Sequence, residues 1–172
     1  MPHIMKKYIF CTIAIVLFLL SACKQNSEEP QSSPRIYMSY FLVNHEGGSG
    51  AADTLTVRTL SDRYEVDTIS VGDTVHVDIM LNAVTNMLTN FVLEADTNFI
   101  KYSFATYKEL LAALSDDSDI ENGKFVFKTG YSGAALPMQY IARKSGKATV
   151  TMTVSSDSEY SPSKLIFDQL IR

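Results

Sequence analysis

Short runs of alternating apolar and polar residues recur along the chain, and turn residues separate them at intervals of roughly ten. In the run 74–83 every second residue is apolar, and the expected inward set is Val75, Val77, Ile79 and Leu81. His76 and Asp78 are expected to face outward. The run 148–154 repeats the pattern, with threonines at the outward positions. A two-residue period is typical of strands with one buried face, so these runs predict antiparallel strands rather than the continuously apolar strands of a parallel sheet.

Further runs of this kind complete a chain dominated by strands. The predicted strand runs are 35–43, 54–60, 64–71, 74–83, 90–95, 124–129, 139–143, 148–154 and 164–171. Many short strands at even spacing favour a β-sandwich or barrel. One segment has helical spacing instead, with Thr106 and Glu109 placed as a capping box before Leu110 and Leu114. It predicts one short helical insert that closes one end of the sandwich.

The start of the chain has the pattern of an export signal. Lys6 and Lys7 precede an apolar stretch, 8–20, which ends in Leu20-Ser21-Ala22-Cys23. The stretch is too short for a permanent transmembrane helix, which needs about 20 apolar residues. The four closing residues resemble the lipobox of bacterial lipoproteins. That resemblance implies cleavage before Cys23, lipidation of its thiol and a protein that is anchored to a membrane rather than spanning it.

The sequence therefore divides into three parts. Residues 1–22 are the predicted lipoprotein signal peptide, residues 23–34 are the acylated cysteine with a flexible tether, and residues 35–172 are the sandwich domain. The tether contains no large apolar side chain, so it has nothing to bury. Its stretch 24–29, which ends in two glutamates, resembles the export signals of Bacteroidetes surface lipoproteins. A generic solvated tether explains the same residues.

Two further segments carry a resemblance at the level of fold. In 71–77 a Gly-Asp turn opens a strand, and in 140–150 a glycine turn joins two strands. Both resemble bacterial immunoglobulin-like domains, and the stretch 72–96 is also similar to cohesins, which hold protein partners. The resemblances imply an all-β, antiparallel immunoglobulin-like β-sandwich, and a fold of this kind does not specify a function.

Charge and cysteine content narrow the possibilities. Loss of Lys6 and Lys7 with the signal leaves 13 of 15 basic residues against 19 acidic ones, a net charge of about −6, which excludes a basic nucleic-acid-binding protein. Cys11 leaves with the signal and Cys23 is used for lipidation, so neither a disulfide nor a thiol nucleophile remains. We expect the domain to fold on core packing alone, without a cofactor.

Residues that could support catalysis are few. Gly130-Tyr131-Ser132-Gly133 nearly matches the nucleophile elbow of hydrolases, but that mechanism needs a histidine after the serine. His45 and His76 both precede Ser132, and Pro137 interrupts the helix that should follow. We therefore expect no catalytic residues and no enzymatic activity.

Two groups of residues suggest metal ligands. The acidic run Asp116 to Glu121 resembles a calcium loop, although Asn122 and Lys128 stand where an EF-hand needs glycine and glutamate. A looser calcium site and a solvated loop both remain open. His76 and Asp78, with His45 or Glu46, could supply zinc ligands, but nothing in the sequence brings these loops together. We expect no metal site here.

Two sets of residues suggest contact with glycans. Tyrosine rings can serve as flat platforms for sugars, and three lie in or near late loops: Tyr131, Tyr140 and Tyr160. Three threonines follow an aspartate and precede an aliphatic residue: Thr54, Thr68 and Thr74. These triplets resemble the O-glycosylation acceptors of Bacteroidetes. A turn aspartate followed by a strand threonine is the competing explanation.

Together the observations predict a lipid-anchored cell-envelope protein at the outer membrane, on its periplasmic face or at the cell surface. Its sandwich is expected to be a non-catalytic binding or structural module for an envelope protein partner. The alternative is a surface glycan-binding accessory lipoprotein that uses exposed tyrosines on a polysaccharide.

Overall fold

A computed structural model describes residues 32–48 and 50–172. The predicted signal peptide, Cys23 and most of the tether lie outside the described residues. The strands are β1 (Arg35–Asn44), β2 (Asp53–Thr54), β3 (Val57–Thr59), β4 (Tyr64–Ile69), β5 (Thr74–Asn82), β6 (Leu88–Ala95), β7 (Ile100–Phe104), β8 (Lys124–Val126), β9 (Gly133–Ala142), β10 (Gly146–Ser156) and β11 (Ser163–Ile171). The helix is α1 (Lys108–Ala113), and no helix among the described residues has the length and hydropathy needed to cross a membrane.

The strands form two sheets with the topology of an immunoglobulin domain. Sheet 1 has the order β2-β1-β5-β9-β7 and sheet 2 has the order β3-β4-β11-β10-β6-β8. The series β1-β5-β9-β7 corresponds to the A-B-E-D sheet of an immunoglobulin domain, and β11-β10-β6 corresponds to G-F-C. All pairs are antiparallel except β4 with β11, which is parallel. The prediction of an all-β, immunoglobulin-like β-sandwich is confirmed, with this one parallel pair as an addition.

The core consists of the inward faces of the two sheets. The predicted inward residues of β5 are 0–3% exposed, and those of β10 are fully buried. His76 and Asp78 face outward, as the alternation predicts. Phe167 of sheet 2 meets Phe41 of sheet 1 edge to face, with 5.5 Å between ring centroids. Such contacts stabilise the packing of one sheet on the other.

The helical insert exists, but its predicted start is wrong. The residue at the N-cap is Tyr107 rather than Thr106, and it makes no capping hydrogen bond through its side chain. Its hydroxyl instead donates to the Ala135 carbonyl of β9 at 2.8 Å. The helix leads from β7 at the edge of sheet 1 towards β8 at the edge of sheet 2, and it buries Leu110 against the core. Tertiary packing of the helix therefore replaces the local cap.

The antiparallel register gives the sandwich two distinct ends. The N-terminal end carries residues 32–34 and the loops 83–87, 127–132 and 157–162. The distal end carries the loops that follow β1, β4, β6 and β9, and the last residue of the chain. The Ser32 amide donates to the Asn86 side chain at 3.4 Å, which places the start of the domain at the N-terminal end.

Candidate binding cleft

The two sheets part along one side of the sandwich, where β1 faces β3, β4 and β11. The gap is a cleft of about 300 Å³ whose walls include Ile36, Tyr37, Met38, Tyr40, Tyr64 and Leu165. Towards the N-terminal end it continues into a second space of about 450 Å³, because Ile36, Tyr37, Tyr64 and Leu165 line both. Volumes of this size are typical of ligand sites.

The outer edge of β1 is only half covered. The short strand β2 pairs with Leu42 and Val43, and a bulge interrupts the register between Ser39 and Leu42. Residues 35–39 pair with β5 on one side, and no strand of the described ranges pairs with them on the other. Their outward peptide groups therefore form a free strand edge beside the cleft.

Tyr40 lies within this bulge and has an unusual backbone. Its φ is +54°, in the left-handed region that non-glycine residues seldom adopt, and its side chain is 72% exposed. Strained residues of this kind cluster at binding sites, where the surrounding structure holds them. The bulge thus ends the covered part of the β1 edge and presents an aromatic ring at the cleft.

The cleft combines an apolar floor with a charged rim. Ile36, Met38 and Leu165 are half-buried and pack against the core, so their outer surfaces form the floor. The rim includes Arg35, Asp62, Arg63 and Lys164. Arg63 contacts Asp62 at 2.8 Å and the largely buried Asp168 at 3.4 Å.

The two outer cations of the rim are available to a ligand. Within residues 32–48 and 50–172, no carboxylate lies at ion-pair distance from Arg35 or Lys164. The Arg35 guanidinium instead donates to the Tyr37 hydroxyl at 3.4 Å, which raises the arginine pKa. The rim is therefore locally positive on a chain whose overall charge is negative.

The tyrosines that the sequence suggested as a glycan platform do not form one surface. Tyr140 is fully buried, so the prediction is wrong for this residue: the alternation of β9 directs residues 136, 138 and 140 inward. Tyr131 is half-buried against the core, and its carbonyl accepts the Leu88 amide at 2.7 Å. Tyr160 is 58% exposed in a loop of the N-terminal end. The exposed aromatic residues at the cleft are Tyr37 and Tyr40 instead. Alternation in the run 35–43 could have identified Tyr37, but Tyr40 has the opposite parity and faces outward only because of the bulge between Ser39 and Leu42.

The residues considered as zinc ligands do not form a metal-binding group among the described residues, and His45 contacts Asp73 instead. His45 Nδ1 lies 3.0 Å from Asp73 Oδ2, and Nε2 lies 3.4 Å from the exposed Asp53. His76 is on the outer face of sheet 1, opposite Gln139. Among the described residues, no group of three or more histidine, cysteine or acidic side chains has the arrangement of a metal site.

Asp73 joins two loops at the distal end. It is buried, and it accepts the Ser70 amide at 2.8 Å and the Glu46 amide at 3.2 Å as well as the contact from His45. Burial by itself would raise the pKa of Asp73. The hydrogen bonds lower the pKa by more than burial raises it, so the pKa lies below its usual value. The carboxylate is therefore a structural tie between the loop after β1 and the turn before β5.

Asp168 forms a second charged cluster, on the outer face of sheet 2. It accepts Lys147 Nζ at 2.8 Å and Thr149 Oγ1 at 2.7 Å, and Arg63 lies at 3.4 Å. Burial opposes ionisation, but these partners outweigh it and hold the Asp168 pKa below its usual range. The cluster connects the residue before β4 with β10 and β11, and its charged groups bind one another.

The acidic run 116–121 lies in an exposed turn region. The Asp119 carboxylate forms hydrogen bonds within its own turn: its oxygens accept the Asn122 backbone amide at 3.2 Å and the Asn122 side-chain nitrogen at 2.7 Å. Asp116, Asp117 and Glu121 are exposed. The arrangement is typical of a solvated Asn-Gly turn.

Ser132 does not occupy a nucleophile elbow. The chain continues from it into strand β9 and not into the helix that the motif requires. Its carbonyl accepts the Ala83 amide at 2.7 Å at the N-terminal end, whereas His45 lies at the distal end. The serine and this histidine are therefore at opposite ends of the sandwich.

The three threonines of the acceptor-like triplets lie towards the distal end. Thr54 and Thr68 are exposed, and Thr74 is half-buried. The aspartates before two of them bind backbone: Asp67 accepts the Thr56 amide at 2.8 Å, and Asp73 forms the tie described above. These contacts explain two of the aspartates structurally, and O-glycosylation at Thr54, Thr68 and Thr74 stays a prediction.

Comparison with known proteins finds similarity at the level of fold. No family model and no curated protein matches the chain. The Streptococcus agalactiae AgI/II polypeptide BspA C-terminal domain has a TM-score of 0.42 and 14% identity, over 80% of this chain and 50% of that chain. The PapD-like domain 7 of human CEP192 has a TM-score of 0.34 and 9% identity, over 69% and 84%. The secreted serine protease VesC from Vibrio cholerae has a TM-score of 0.40 and 7% identity, over 68% and 23%, so this chain spans half or less of the streptococcal and Vibrio chains.

Proposed function

We propose that this protein is a lipid-anchored component of the bacterial cell envelope whose immunoglobulin-like sandwich is a non-catalytic binding or structural module for another protein. The observation that carries the proposal is the open cleft beside the free edge of β1. An apolar floor, exposed tyrosines and unpaired strand edges are features of interaction surfaces. The charged clusters around Asp73 and Asp168 act within the domain, and this supports the non-enzymatic part of the proposal.

The anchor is part of the same proposal and is supported by the lipobox that ends in Cys23. Acyl chains there would hold the protein at the outer membrane, on its periplasmic face or at the surface, as in Bacteroidetes-type lipoproteins. Residues 32–34 enter at the N-terminal end, so the tether would direct the distal end away from the bilayer. Cys23→Ala is expected to release the protein from the membrane fraction, and unchanged partitioning of this variant would contradict the anchor.

The interaction itself is tested by chemical crosslinking of intact envelopes. We expect recovery of one protein in stoichiometric amount with the wild-type chain and its loss with the mislocalised Cys23→Ala variant. If the chain is recovered only by itself as a monomer, the protein-interaction proposal is wrong.

A surface glycan-binding accessory protein is the second candidate, and the exposure of Tyr37 and Tyr40 at the cleft favours it. Aromatic rings beside hydrogen-bonding side chains suit sugar rings. Retardation of the protein in a polysaccharide affinity gel, reduced by Tyr40→Ala and unaffected by Tyr160→Ala, would favour this function over the first.

A further inference from the structure

We propose that the cleft binds an extended acidic and apolar segment of a partner protein, which adds as a strand to the free edge of β1. The inference rests on the proposed protein-interaction function and names its site and the chemistry of the partner. Residues 35–39 are available for main-chain pairing along about 17 Å, the length of a strand of about five residues. A polysaccharide has no peptide groups to continue this ladder, so the free edge favours a peptide.

The floor of the cleft specifies the partner's alternate side chains. A strand beside β1 directs every second side chain towards the space between the sheets, where Ile36, Met38 and Leu165 have exposed apolar surface. Removal of that apolar surface from water favours the complex. The partner segment therefore carries apolar residues at alternate positions.

The charges on the rim of the cleft favour acidic side chains at the partner positions that do not face the apolar floor. Arg35 and Lys164 are exposed beside the cleft, and among the described residues neither has a carboxylate at ion-pair distance. Arg63 keeps its charge close by, although Asp62 and Asp168 neutralise it in part. Acidic side chains between the apolar positions complement this rim and accelerate association.

The chemistry of the chain's own tether does not match that of the cleft. Residues 24–31 immediately precede the described domain, and they contain two glutamates but no large apolar side chain. The two glutamates could pair with the cations of the rim, but these residues have no large apolar side chain to pack on the floor. The strand that fills the cleft therefore comes from a second protein.

Selection from a random dodecapeptide library, displayed on phage, tests the proposal on the full chain purified from the membrane. Enriched peptides are expected to alternate apolar residues with aspartate or glutamate. Bound peptide should slow hydrogen exchange of the amides in 35–39, and methylation of alternate peptide nitrogens should weaken binding about tenfold.

Charge reversal at exposed positions provides matched variants that leave the core intact. The double variant R35E/K164E is expected to lower peptide affinity about tenfold, because its rim repels acidic side chains. The control K101E/K108E changes two exposed lysines on β7 and α1, at the other side of sheet 1, and should bind as the wild type does.

Each other result overturns the proposal in a distinguishable way. Peptides that protect different amides, or that bind R35E/K164E unchanged, overturn the cleft assignment while the crosslinking result keeps the protein-interaction function. A library without enriched peptides also overturns the strand-addition proposal, and a failed crosslinking experiment in addition removes the proposed function. Polysaccharide retention that R35E/K164E abolishes assigns the cleft to glycans instead.

Discussion

Tyr140 and Gln169 form a hydrogen bond between the two sheets: the tyrosine hydroxyl donates to Gln169 Oε1 at 2.7 Å, and both side chains are fully buried. Tyr140 belongs to sheet 1 and Gln169 to sheet 2. The side-chain nitrogen Nε2 of Gln169 also donates to the backbone carbonyls of Asp67 and Leu170, at 2.6 and 3.0 Å. Burial raises the Tyr140 pKa, so the hydroxyl remains a donor at neutral pH. A buried network in which each member has a partner specifies how the sheets align.

Tyr140→Phe is expected to lower the free energy of unfolding by about 1–3 kcal/mol, because Gln169 Oε1 loses its donor inside the core. Urea denaturation at neutral pH measures the difference. Tyr40→Phe is the matched control, since Tyr40 is largely exposed, and it should change stability by no more than about 0.5 kcal/mol. Equal stability of the two variants would contradict the structural role of the Tyr140 hydroxyl.

The lowered pKa of Asp73 predicts that the domain loses stability in acid. Its pKa is lower in the folded state than in the unfolded chain, so its contribution is complete above about pH 5 and is lost as the pH falls through the folded pKa. Asp73→Asn should lower the free energy of unfolding by about 1–3 kcal/mol at neutral pH and by less in acid. The free energy of unfolding of this variant should therefore depend less on pH below about pH 5 than that of the wild type. Asp168 acts in the same direction, so part of the slope should remain.

Urea unfolding at a series of pH values measures this curve. Asp117→Asn in the exposed turn region is the control and should follow the wild type throughout. A variant Asp73→Asn with the full acid slope of the wild type would show that the tie between the two distal loops does not contribute.

Thermal unfolding of the mature domain is expected to be indifferent to chelator and to reductant. The chain has two cysteines, one in the predicted signal peptide and one at the predicted lipidation site, and its acidic run 116–121 has the geometry of a solvated turn. Calcium at about 100 times its Kd would stabilise the fold by about 2.7 kcal/mol, a shift of several degrees in Tm. A chelator-induced drop of that size would instead assign a calcium site to this loop.

We expect no hydrolytic turnover of esters, peptides or glycosides. Ser132 and His45 lie at opposite ends of the sandwich, and His76 faces outward from sheet 1. A chromogenic-substrate screen of the purified protein, with His76→Ala and Ser132→Ala alongside, checks this, and both variants should unfold within about 0.5 kcal/mol of the wild type. Turnover that either substitution abolishes would restore the hydrolase interpretation.

Local patterns in the sequence determined the class of the fold and much of its core. The alternation in β5 and β10 identified the buried faces correctly, because successive side chains of a strand point to opposite sides whatever the strand pairs with. The same local logic identifies the motif at Cys23, which needs only contiguous residues. Such features are independent of distant parts of the chain.

Only the tertiary structure decided which faces are covered and which edges are free. Tyr140 stands at an alternating position that the sequence allows on either face, and the opposite sheet with Gln169 buries it. Thr106 fits a capping box, but packing of Tyr107 on β9 shifted the start of the helix. The cleft exists because β1 and β4 belong to different sheets and part along one side. Which strand faces are buried and where the two sheets separate depend on contacts between residues far apart in the chain. Hydrophobic periodicity shows only that adjacent side chains of a strand point to opposite faces.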